Sequence, residues 1–73
     1  MNPENAARAR LLEHYQLTIE NAVARAERLR ERDRGEIDPE ERGQIRLQIT
    51  RWEDIMFETQ TKLDRIRAAL KVA

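Results

Sequence analysis

The densest set of chemically capable side chains is a run of arginines, Arg25, Arg28, Arg30, Arg32 and Arg34. Guanidinium groups in this number can grip phosphates through forked hydrogen bonds. Glu27, Glu31 and Asp33 are interleaved with them at spacings of three and four, so the sequence predicts that much of the charge is met within one helix. The stretch holds no aromatic residue to stack a base and no glycine-rich loop to cradle a phosphate. A solvated, self-paired face is therefore the preferred reading, and a nucleic-acid contact through Arg25, Arg28 and Arg32 is the alternative.

The remaining candidates lead away from catalysis. His14 is the one histidine, and Glu13 beside it points about 100° away around a helix. With no second His and no Cys there is no common transition-metal set, and His14 falls on the outward side of its helix. Glu40-Glu41 and Glu53-Asp54 are sequence neighbours whose carboxylates splay apart, while Glu58 shares a face with Asp54 but has Lys62 four residues on as an ion-pair partner. Serine and cysteine are absent, which leaves Thr18, Thr50, Thr59 and Thr61 without a base to activate them. The expectation is no enzyme, no cofactor, no metal and no small-molecule substrate.

These residues sit on a chain of 73, short enough for one domain at most, here taken as 1–73. Charged residues make up 38% and hydrophobic ones 40%, with two Gly, two Pro and one each of Trp, Tyr and Phe, a mix that favours long helices over a sandwich or barrel. Fourteen basic and fourteen acidic residues cancel, so any pull on nucleic acid or anionic lipid has to come from a local patch. No apolar run approaches the roughly 20 residues that span a bilayer, and Met1-Asn2-Pro3-Glu4-Asn5 lacks the basic start and apolar core of a signal peptide. A cytoplasmic protein without membrane contact is expected.

The organising pattern is an apolar seam. Ile45, Ile49, Trp52, Met56, Thr59, Leu63, Ile66 and Leu70 follow steps of four and three, and seven of the eight are apolar. An earlier seam of Leu12, Tyr15, Ile19, Ala22, Ala26 and Leu29 has the same spacing. Steps averaging 3.5 residues mark helices that present a continuous edge to another helix. Thr59 breaks the second seam, as a polar residue that sets register or oligomer state would.

Local signals set the ends. Asn2-Pro3-Glu4 opens a helix over about 3–34, and Gly35 stands where a left-handed residue closes one. Asp38 can then cap a second helix over about 39–71, with Pro39 in its first position and Glu41 placed as in a capping box. Gly43 inside that helix costs about 1 kcal/mol relative to Ala, which suggests close approach of another backbone. A break at 35–38 forces the helices to lie antiparallel. Folding about residues 36 and 37 places Leu29 near Ile45, Ala26 near Ile49, Ala22 near Trp52, Ile19 near Met56 and Leu12 near Leu63.

The expected fold is thus all-α, an antiparallel, coiled-coil-like two-helix hairpin that dimerises into a four-helix bundle. A lone hairpin leaves its seam open on one side. Leu11, Val23, Ile55 and Ala69 widen the seam, and Leu17, Leu47 and Phe57 lie off it, more exposed hydrophobes than so small a chain ordinarily carries. In layout the chain is similar to the small helical-hairpin co-chaperones of type III secretion, and to plasmid-encoded RNA-binding hairpins that dimerise into four-helix bundles. The likeness to the co-chaperones rests on the Arg34-Gly35 turn entry and on Pro39-Glu40-Glu41, and no functional residue is carried over from either group. Phage and mobile-element accessory proteins are also often this size. The function expected is a non-enzymatic interaction module, an adaptor, assembly or chaperone-like protein of bacterial or phage type. Its partner would be a second copy or a helical protein, met through Leu12, Tyr15, Ile19, Ile49, Trp52, Ile55, Met56, Phe57, Leu63 and Ile66. The alternative is a small dimeric nucleic-acid-binding regulator.

Overall fold

A computed structural model describes residues 2–72, so that Met1 and Ala73 of the expected 1–73 domain lie outside the described residues. Helix α1 spans Pro3–Gly35 and helix α2 spans Pro39–Val72, with no strand among the described residues. The two pack against each other as a helical hairpin measuring 55 × 14 × 13 Å.

Each helix starts where its sequence provides partners for the first orphan amides. The Asn2 side chain accepts from the Asn5 amide at 2.9 Å, and Pro3 fills the first helical position, where no amide is needed. At α2 the Asp38 carboxylate accepts from the Glu40 amide at 3.1 Å and the Asp38 carbonyl from the Arg42 amide at 2.9 Å.

Two expectations about the turn are corrected. No residue among those described has a positive φ, so Gly35 does not close α1 as a left-handed cap. It remains helical, and the chain leaves at Glu36 in an extended conformation (φ −87°, ψ 128°), whose amide donates to the Asp33 carbonyl. The reciprocal capping box is also not formed. The Asp38 amide donates at 3.1 Å to Glu36 Oε1, which takes the Ile37 amide as well, while Glu41 turns away to Arg32. A glutamate folded back over the turn thus does the work assigned to a glycine and to Glu41.

The core is narrow and asymmetric. Ala22 and Ala26 on α1 are fully buried, and Ile45, Ile49 and Leu63 are buried on α2, with Leu63 only 2% exposed. Small residues on one helix let bulky ones on the other interdigitate. Thr59 is buried in the same layer sequence. The other three threonine hydroxyls donate to their own helix, to the carbonyls of His14, Arg46 and Phe57.

The register differs from a fold about residues 36 and 37. Near the turn Arg32 meets Glu41 as that fold requires, but Arg25 lies on Trp52 and Arg30 reaches Glu53. Farther out, Ile19 shares a groove with Gln60 and Leu63. All are displaced in one direction along α2, by between two and nine residues. With Arg25 on Trp52, Ala26 comes level with Trp52 and Ala22, one turn earlier, with Met56. The alanines still oppose large side chains, so size complementarity fits both registers and does not choose between them.

Candidate interaction surface

Four ion pairs join the described residues, and each crosses from α1 to α2: Arg30–Glu53 at 3.6 Å, Arg32–Glu41 at 3.4 Å, and Asp33 with both Arg42 and Arg46 at 3.4 Å. The expectation that the arginine run is met along its own helix is therefore corrected. Glu27 and Glu31 take part in none of these pairs, nor do Glu58 and Lys62 pair with each other. Asp33, whose side chain is 17% exposed, lies low enough for two guanidinium groups of α2 to converge on it.

The pairs also define the two flanks of the rod. Arg32–Glu41 lies on one side, and seven-residue steps carry that flank through Arg25, Thr18 and Leu11 on α1 and through Gln48, Ile55, Lys62 and Ala69 on α2. Arg30–Glu53 lies on the other, which continues through Val23 and Gln16 on α1 and Arg46, Gln60 and Arg67 on α2. Two surface hollows agree with this division. Arg25, Arg28, Leu29, Gln48 and Trp52 line one of about 190 Å³ on the first flank. Gln16, Ile19, Glu20, Gln60, Leu63 and Arg67 line one of about 340 Å³ on the second.

The residues expected to meet a partner divide into three groups. Ile49 and Leu63 are closed off between α1 and α2 and are not accessible to a further chain. Leu12, Tyr15, Ile19, Trp52, Ile55, Met56 and Ile66 are half-buried. Phe57 is 76% exposed on the outer surface of α2, over a hollow it shares with Glu58, Thr61, Lys62 and Arg65. Leu17 and Leu47 sit two residues from seam positions in either direction, hence on the outer side of each helix, and both are exposed. The structure thus does not gather the exposed hydrophobes on one face. Of the four that widen the seam, Leu11, Ile55 and Ala69 share the first flank, and Val23 lies on the second.

Arg25, Arg28 and Arg32 have different surroundings. Arg32 is paired with Glu41, the Arg25 guanidinium lies 5.0 Å from the centre of the Trp52 ring, and Arg28 borders the same hollow. Sequence reasoning found no aromatic among these arginines because Trp52 is distant in the chain and reaches them only across the hairpin. His14 is exposed, its ring 5.9 Å from that of Tyr15. Ile37, at the tip of the turn, is 91% exposed, a hydrophobe that the seam pattern does not single out. No group of three metal-ligating side chains occurs among the described residues, and no helix is long and apolar enough to cross a membrane.

No protein-family model, curated protein or solved structure matches this chain.

Proposed function

We infer that this chain is a non-enzymatic protein–protein interaction module whose hairpin closes against a second copy, giving a four-helix bundle. The observation that carries this reading is surface area. The hairpin exposes 5756 Å², whereas a compact chain of 8.7 kDa exposes about 4,700 Å². The excess of about 1,000 Å² is close to the ~800 Å² that each partner contributes to a standard interface. Its radius of gyration of 16.6 Å, against about 11 Å for a globular chain of this length, says the same: the rod lacks a second layer.

The flank holding Leu11, Ile55 and Ala69 supplies the most apolar cover for that layer. A two-fold axis through it sets this strip against its own copy, so one set of residues serves both sides of the contact. In this reading Tyr15 and Ile66 lose their remaining exposure at the interface.

The test is solution mass across a dilution series with helicity followed in parallel. The expected result is twice 8.7 kDa, with helicity falling as the dimer dissociates. Ile55→Glu should return the chain to lower mass, while Leu17→Glu on the outer side of α1 should not. A folded monomer at about 100 μM overturns the reading, since an excess of about 1,000 Å² of exposed surface would then be tolerated. A chain that is unordered alone and helical only with another protein transfers the reading to a chaperone-like or adaptor role for a helical partner.

A further inference from the structure

The half of the first flank nearest the turn is basic. Arg25 and Arg28 line its hollow, and among the described residues neither takes part in an ion pair. Arg32 extends the row along α1 and also reaches Glu41. Trp52 meets these arginines only across the hairpin, so the cluster arises from how the two helices are set together.

We propose that this half-flank binds the phosphate backbone of a nucleic-acid strand, with the Arg25–Trp52 stack as its fixed point. Arg25, Arg28 and Arg32 rise along α1 over about 10 Å at 1.5 Å per residue. That length covers about three successive phosphates at ~3.4 Å of axis per phosphate. The Arg25 guanidinium lies over the Trp52 ring, a cation–π contact that favours this placement and lowers the entropy lost on binding. Gln48 adds an amide on the facing helix, and the hollow between them, about 190 Å³ over Trp52 and Leu29, has room for a sugar or an unstacked base. Recognition of this kind is sequence-independent, since phosphate contacts position a strand without reading it. An acidic peptide could satisfy the charge, but the evenly rising guanidinium groups beside a flat aromatic floor suit phosphates and bases better. Leu11 and Ala69, at the far end of the flank, are separate from this site, whereas Ile55 lies one turn from Trp52.

The single tryptophan makes the site its own reporter. The full chain is titrated with a mixed-sequence oligonucleotide, single-stranded and duplex, at about 50 mM salt, following Trp52 emission and oligonucleotide anisotropy. The expected result is a change in both signals at micromolar concentration, with log K falling against log salt at a slope of about −2 to −3. Arg28→Gln, which disturbs neither an ion pair nor the Arg25–Trp52 contact, should weaken binding about fivefold and reduce the slope by about one, with unchanged helicity. Arg67→Gln on the opposite flank should leave binding as it was. The proposal is overturned if no signal appears up to about 100 μM at low salt, if Arg67→Gln weakens binding as much as Arg28→Gln, or if polyglutamate binds as tightly as the oligonucleotide, which would identify an acidic protein segment as the partner.

Discussion

Replacing Gly43 by alanine tests how far α2 stands clear of other backbone. A glycine inside a helix costs about 0.8–1 kcal/mol relative to alanine, because its unfolded chain has more freedom to lose. The sequence suggested that this cost is tolerated for a close backbone approach, yet a Cβ built at Gly43 meets nothing within 4 Å, and no positive φ demands glycine there. Gly43→Ala should therefore recover nearly the whole propensity difference, about 1 kcal/mol, which raises Tm by about 4–8 °C in a domain of this size. Urea and thermal melts followed by helical circular dichroism, at matched chain concentrations, measure it. Matching matters because a self-associating chain changes its apparent stability with concentration. If Gly43→Ala proves neutral or destabilising, the reasoning from open space fails, and something that the isolated hairpin lacks must lie against that turn of α2.

Two further substitutions probe the packing and the charge across the hairpin. Ala26→Leu places three extra carbons at a fully buried position level with Trp52 and should cost about 1–3 kcal/mol in a urea melt; a neutral result would mean that the helices can spread at that layer. Asp33→Ala leaves Arg42 and Arg46 without their shared carboxylate and should cost about 0.5–1 kcal/mol at low salt, shrinking as salt is raised; a loss indifferent to salt would assign the effect to something other than the ion pairs.

What could be read along the chain followed from its periodicity and its local caps. Steps of three and four placed Ala22, Ala26, Ile45, Ile49 and Leu63 on inward edges, and these are the buried hydrophobic residues. The Asn2-Pro3 start and the Asp38-Pro39 start depend only on contacts within a few residues, and both helices begin there. The closing of α1 failed because two solutions compete locally. A glycine can turn left-handed, or a following glutamate can fold over the amides of the turn, and nothing in the spacing of Gly35 and Glu36 ranks them.

The sequence by itself determined two amphipathic rods and the turn that makes them antiparallel, because helix periodicity and capping are properties of neighbouring residues. The tertiary structure alone decided the stagger between the rods, since side-chain size complementarity is satisfied at more than one register. That stagger in turn set Arg25 on Trp52 and drew Arg42 and Arg46 to Asp33. A helix fixes what its own residues face, but only the position of the second helix settles which charges are answered and which remain open to a partner.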